Sequence, residues 1–342
     1  MPQALPVVAP QAAHRPLFAG FDVGGTNIKV GVVDAEGRRV AHRSLPTEEE
    51  RGSDDAARRM AAAYRELLAE SGVAAGDVVR AGLATPGPMD IPAGKLLKPG
   101  NLPHWHDQPV RDQVSAATGL PVTFANDANA AAYGEFWCGR GRDAQSMVMF
   151  TLGTGVGGGI ITEGQLIEGR HSCGGELGHI LIDPSPTAPL NTLGIRGSLE
   201  GYCGSYGVLA RAEAAMAAGD PTSLRKRLEQ GAELTPLMIA EEAESGDQLA
   251  LDVVLETARY LALGVVTMVH AIDPEMVLIG GAMTFGGEGS RLGERFLARV
   301  REESQLRMIE SLRDRVTISF ASLGGAAGYY GAAGLACREH QR

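Results

Sequence analysis

The chain has little with which to build a secreted scaffold, a membrane span or a nucleic-acid footprint. Its four cysteines, Cys138, Cys173, Cys203 and Cys337, are scattered without a paired spacing or a Cys-x-x-Cys, which excludes a disulfide framework and points to a reducing cytoplasm. Aromatic residues make up only 5% of it, and no basic stripe stands out against a formal net charge of -10, so no nucleic-acid partner is expected. No apolar run reaches the roughly 20 residues that a membrane helix needs. Residues 1–16 lack both a basic start and an unbroken apolar core, and they read as a loose tail rather than a signal peptide. A Walker A loop is missing too, because Lys29 has no Ser or Thr after it and follows no six-residue glycine frame. No repeat of solenoid length is visible.

Glycine is what the chain has in excess: 46 of 342 residues, against a usual share of about 7%. The glycines cluster in turns after strands, a pattern suited to backbone-lined ligand sites. The length allows two domains with their own cores.

The stretch Phe18 to Asp34 organises the reading, because apolar residues flank Gly24-Gly25 and Val and Ile dominate the seven residues after Thr26. It reads as strand, tight turn, strand. Successive N–H groups in a glycine turn can converge on one anion, which makes Gly24, Gly25 and Thr26 a candidate phosphate cradle. Asp22 adds a carboxylate where a phosphate-bound Mg²⁺ needs an oxygen ligand or a water-holding partner. Met147 to Ile161 repeats the plan around Gly153-Thr154-Gly155. Two such hairpins, each opening half of the chain, suggest duplicated domains facing each other across a nucleotide.

The rest alternates. A strand is expected at 38–45, a helix from Ser53 to Gly72, strands at 78–84 and 121–125, and a helix opening at Asp127. Helices are expected at 198–218, 235–245, 248–272 and 289–303, with a strand at 276–279 ending in Gly280-Gly281. A strand at 316–320 and a small-residue helix over 324–337 close the chain. Asp127 sits in a helical first turn, where the macrodipole favours an ionised carboxylate; the plainer reading of that position is an N-cap. Gly153-x-Gly155-x-x-Gly158 matches a dinucleotide fingerprint on paper, but Gly159 to Gln165 is hairpin sequence, and that fingerprint must open a helix.

The two cradles, Asp22, Asn126-Asp127, Asn101-Leu102-Pro103, Glu176-x-Gly178-His179 and the Gly280-Gly281 turn stand in an order that resembles the ROK family (repressors, open reading frames and kinases), and within it the glucokinase-like members. The resemblance implies the two-domain α/β fold of sugar kinases, actin and chaperone ATPases, related to ribonuclease H, with an interdomain cleft that closes on sugar. It implies a small domain of residues 17–124 plus a C-terminal helix at about 324–342, and a large domain of 125–323. The activity it implies is ATP-dependent phosphorylation of a hexose, glucose first among the candidates. Fructose, mannose, N-acetylmannosamine and a non-catalytic sugar-binding relative are the alternatives, and polyphosphate is the alternative donor. A repressor needs a DNA-binding domain ahead of Phe18, and the segment before it is short and proline-rich.

Carried over by resemblance, Asp127 is the general base and Asn126 a hydroxyl contact, with Glu176, His179, Asn101 and Glu200 also on the sugar. Gly24, Gly25, Thr26, Gly153, Thr154 and Gly155 face the phosphates, and Gly280 and Gly281 lie beside the adenosine. ATP and Mg²⁺ are the implied cofactors, a homodimer the implied assembly. One departure stands out: the family's zinc segment, Cys-x-Cys-Gly-x-x-Gly-Cys-x-Glu, here reads Asn191-Thr192-Leu193-Gly194-Ile195-Arg196-Gly197-Ser198-Leu199-Glu200. Without thiolates no structural zinc is expected, and a hydrogen bond must fix the His179 tautomer instead. His171, Cys173, His179 and Cys203 form a rival metal set whose spacing fits no finger; small buried thiols are the plainer reading of the two cysteines.

Overall fold

The computed structural model describes residues 7–342, so the opening of the expected tail, residues 1–6, lies outside the described residues. The chain begins β1 (Leu17–Val23), β2 (Asn27–Val33), β3 (Arg39–Pro46), α1 (Ser53–Ser71), β4 (Val78–Thr85), β5 (Met89–Asp90), β6 (Lys95–Leu96), α2 (Val110–Thr118), β7 (Val122–Asn126) and α3 (Asp127–Cys138). It continues β8 (Met147–Leu152), β9 (Val156–Thr162), β10 (Gln165–Leu166), α4 (Leu199–Cys203), α5 (Ser205–Ala217), α6 (Leu224–Glu229), α7 (Pro236–Glu244) and α8 (Gln248–Ile272). The last elements are β11 (Met276–Gly281), α9 (Arg291–Gln305), β12 (Thr317–Phe320) and α10 (Ala327–Gln341). Among the described residues no helix is long and apolar enough to cross a membrane.

Two five-stranded sheets repeat one plan, with strand orders β3-β2-β1-β4-β7 and β10-β9-β8-β11-β12. In the first, β2 runs antiparallel to β1 and β3 to β2, while β4 and β7 continue parallel. In the second, β10 is antiparallel to β9, and β11 is parallel to both β8 and β12. The duplicated hairpin read from the sequence is therefore a duplicated sheet.

The chain divides into two compact units. The first holds the described residues through Ala144, with Gly159–Gly175 and Ser322–Arg342; the second holds Gln145–Gly158 and Glu176–Ala321. The boundary falls after α3 rather than before it, because α3 packs on α10. Gly331 of α10 lies so close to α3 that a Cβ there would stand 1.6 Å from the Ala130 carbonyl oxygen. The buried Glu135 carboxylate then accepts from the backbone N–H of Ser322 at 2.8 Å and of Leu323 at 2.6 Å, tying α3 to the turn that launches α10.

Period-two alternation in β1 sorts its side chains. Leu17, Ala19, Phe21 and Val23 share one core with Met60, Tyr64 and Leu67 of α1. Phe18 shares the other with Tyr329, Tyr330 and Ala333 of α10. Asp22 falls on that same second face, at the strand's carboxyl end.

Several expectations need correction. The tail is not loose from residue 7 onward: Val8 N–H donates to Arg39 at 2.9 Å, His14 N–H to Asp34 at 3.0 Å, and Arg15 to Asp77 at 2.9 Å. The helix expected over 198–218 is two helices, broken at Gly204, which is extended at φ -68 and ψ 156. α2 and α6 were not expected, although Val110, Val114 and a left-handed Gly119 cap mark α2. The N-cap of α1 is Gly52, so Ser53 is the first helical residue.

A Gly331→Ala substitution tests the α3–α10 packing. Alanine's helix propensity favours the change by about 1 kcal/mol, but the clash is with backbone, which cannot rotate away. Urea unfolding should show a net loss of roughly 2 kcal/mol or more; an unchanged or raised midpoint would contradict the packing.

Candidate functional site

In the first unit the predicted residues gather at the carboxyl edge of the parallel strands. Asp22 pairs in register with Ala84 of β4, and Ala84 with Ala125 of β7, so Asn126 and Asp127 stand just beyond the level of Asp22. Asn126 is the N-cap of α3: its Oδ1 accepts from Ala128 N–H at 3.0 Å and Asn129 N–H at 3.2 Å. Asp127 is thus the first helical residue rather than the cap, and its carboxylate accepts from Ala128 N–H at 2.8 Å. The cap uses only the amide oxygen of Asn126, so its NH₂ can donate to a ligand.

Burial holds the Asp22 carboxyl above the ordinary carboxylate range, against the opposing pull of Lys29, whose ammonium lies 3.6 Å away. Lys29 also donates to the Gly325 carbonyl at 2.5 Å, which pins the pair to the turn before α10. Gly328 leaves room for the carboxylate, since a Cβ there would come within 2.4 Å of it.

The turn after β1 is closed by Gly24 N–H donating to Asn27 O at 2.9 Å, and it is held from outside by Thr47, whose Oγ1 donates to Gly24 O at 2.7 Å and whose N–H donates to Thr26 O at 2.8 Å. Gly25 and Thr26 stay exposed. Neither Gly24 nor Gly25 has a positive φ, so left-handed freedom is not why glycine stands there. A Cβ on Gly24 would stand a tight 3.1 Å from the Asn27 carbonyl oxygen, whereas a Cβ on Gly25 would meet nothing nearer than the Asn101 Cβ, 4.0 Å off. That distance also brings Asn101 beside the cradle.

In the second unit Val156 is the node. Its N–H donates to Glu200 Oε2 at 3.0 Å, while its carbonyl lies where only a glycine can pass: a Cβ on Gly178 would sit 2.0 Å from it. This seats the Glu176–His179 turn and Glu200 against the strand that leaves the second cradle. Glu200 is buried, and its other oxygen accepts from Thr192 and Tyr206 hydroxyls, each at 3.1 Å. Burial, then the charge of Glu200, pushes the Tyr206 hydroxyl well above the usual phenol range.

Gly153 N–H closes its own turn on Gly155 O at 3.0 Å, as Gly24 does in the other unit. The break at Gly204 frees the first N–H of α5, and Ser205 N–H donates to Gly153 O at 3.0 Å and Thr154 O at 3.1 Å. Gly280 and Gly281 pair in register with Thr151 and Leu152, directly before this turn. Gly281 does need glycine, at φ 94 with the Leu152 carbonyl 2.2 Å from where its Cβ would be.

The segment expected to lack zinc is a closed polar turn. His179 Nδ1 lies 2.9 Å from Asn191 Nδ2, and Leu193 points to solvent, 69% exposed. A carboxamide, an exposed leucine and a buried serine do not fit a zinc ion. Among the described residues no group of three or more His, Cys, Asp or Glu is gathered to hold a metal. Cys203 is buried, but Cys173 is exposed, contrary to the buried-thiol reading.

Sequence reasoning missed Thr47, Lys29, Tyr206 and the part played by Val156. Only Lys29 left a signal, since hairpin pairing sets it opposite Asp22. Thr85, in register with Asn126, is also fully buried, and its hydroxyl has no hydrogen-bond partner among the described residues.

A family model described as ROK family matches residues 18–339. The glucokinase of Halalkalibacterium halodurans is 32% identical over 314 residues, which cover 92% of this chain and 93% of the relative. The solved ROK hexokinase of Thermus thermophilus has a TM-score of 0.78 at 30% identity, covering 95% of this chain and 99% of that one. The ROK family glucokinase of Streptomyces griseus, solved with glucose and AMPPNP, has a TM-score of 0.76 at 32% identity, covering 94% and 99%. With a duplicated sheet that matches these structures and a family match over nearly all of its length, the chain belongs to the ROK family.

Proposed function

We propose that the chain transfers the terminal phosphoryl group of ATP to a hexose, with glucose as the substrate and glucose 6-phosphate as the product. The observation that carries this reading is the Asn126-Asp127 step, a capping amide and a carboxylate at the edge of the first sheet. Support comes from relatives named glucokinase, one of them solved with glucose and a nucleotide analogue.

Sugar hydroxyls are weak nucleophiles, so the chemistry rests on positioning and on neutralising phosphoryl charge. Asp127 accepts the proton of the attacking hydroxyl. Asn101, Asn126, Glu176, His179 and Glu200 bind the remaining hydroxyls. Glu200 does so from within its bonds to Val156, Thr192 and Tyr206, which couples sugar binding to the second cradle. The N–H groups of Gly25, Thr26, Thr154 and Gly155 receive phosphate oxygens, since Gly24 and Gly153 spend theirs on closing the turns. Gly280 and Gly281 border the adenosine. Mg²⁺ bound with the nucleotide supplies charge neutralisation, and Asp22 is the carboxylate that fits it. A cytoplasmic homodimer completes the reading, on the family resemblance.

A coupled assay with ATP and Mg²⁺ across glucose, mannose, fructose and N-acetylmannosamine should give the highest kcat/KM for glucose; preference for another sugar would replace the substrate. Polyphosphate in place of ATP should give less.

Asp127→Ala should lower kcat on the order of 10²- to 10⁴-fold while the sugar KM moves little. Undiminished turnover would remove Asp127 from its role.

Lys29→Met removes the charge that opposes burial at Asp22, so the Asp22 proton is held to higher pH. Because the ionised carboxylate is the useful form, the acid limb of kcat/KM should move to higher pH. A pH profile that stays in place would contradict this coupling.

A further inference from the structure

The amide of Asn191 has a determined orientation. Its Oδ1 accepts from the N–H groups of Leu193 at 3.0 Å and Ile195 at 2.8 Å, and two backbone donors can be met only by the oxygen. The NH₂ is therefore the group that faces His179 Nδ1 at 2.9 Å. Asn191 is itself buried, and its own N–H and C=O close the turn, to Ile195 O at 2.9 Å and from Gly194 N–H at 3.0 Å. The donor is thus held rigidly.

An NH₂ group can only donate, so the nitrogen it meets must be bare. The ring proton then belongs on Nε2. Nε2 lies 3.7 Å from Glu176 Oε2, beyond hydrogen-bond length, so the two present separate polar atoms side by side.

We propose that Asn191 is a positioning residue that locks His179 as the Nε2–H tautomer without a metal, so that His179 and Glu176 offer one donor and one acceptor to the hydroxyls of the bound sugar. The hydroxyl that accepts from Nε2–H can donate to the neighbouring carboxylate. This rests on the sugar-kinase reading for the identity of the ligand, and on the hydrogen bonds of the turn for the tautomer.

Asn191→Asp is the informative substitution. One carboxylate oxygen still accepts from Leu193 and Ile195, preserving the turn, while the other can only accept from His179 and draws the proton to Nδ1. Two-bond ¹H–¹⁵N correlation spectra, with His179 assigned by its loss in His179→Gln, read the ring directly. The wild type should show a bare Nδ1 and a protonated Nε2, in protein whose metal content is far below one zinc per chain. In Asn191→Asp the Nδ1 should become protonated and the glucose KM should rise about tenfold or more. Its kcat should change less, and its AMPPNP affinity should be kept.

A wild-type ring protonated at Nδ1, a stoichiometric zinc, or an unchanged KM alongside an altered ring would each overturn the proposal. Should the variant fail to fold, the wild-type spectrum and metal content still decide. If the wild type phosphorylates no sugar, the kinase reading fails, while the same spectrum decides the tautomer independently.

Discussion

In the second unit the site depends on one peptide group, that of Val156, used on both of its polar sides. A buried carboxylate takes its N–H, and a glycine of the Glu-x-Gly-His turn lies against its C=O. A buried carboxylate is costly unless its oxygens are met, so Glu200 is held in place by the need to keep Val156, Thr192 and Tyr206 as partners. The geometry of the Glu176–His179 turn and of the strand leaving the Gly153–Gly155 turn is therefore set by the same few atoms. The Gly204 break serves the same cradle from the other side, because only an interrupted helix has a free N–H to give to Gly153 and Thr154.

The first unit reaches a comparable result by packing. α10 is rich in small residues because it lies directly on β1, β4 and α3; at Gly328 that closeness makes room for the Asp22 carboxylate. Lys29 then offsets part of the cost of burying it. The same alternation that sends Phe18 into the α10 core sends Asp22 to the edge beneath α10, so the core and the candidate site share one strand and one register.

Much of this was legible in residue order. The two hairpins, the long helix from Gln248 to Ile272 and the closing small-residue helix follow from periodicity and composition; the structure adds the cap of the long helix, where Asp247 accepts from Ala250 N–H at 2.8 Å. The parts that were not legible have a common cause. Thr47 grips the first cradle from 23 residues away and Glu200 holds Val156 from 44, and no local pattern announces a bond between such positions. Glycine was read for its backbone freedom at Gly24 and Gly25, yet neither has a positive φ. The loss of thiolates from 191–200 could be read, and so could the need for a hydrogen bond; that the bond comes from Asn191 could not, because it depends on how a five-residue turn closes.

The proposed function requires that the two glycine turns, built alike in two sheets, bind one polyphosphate. The most direct measurement is amide NMR of ¹⁵N-labelled protein during titration with AMPPNP and Mg²⁺. The account predicts that the N–H signals of Gly25, Thr26, Thr154 and Gly155 shift together with one saturation curve. Saturable nucleotide binding that leaves either pair unmoved would contradict it.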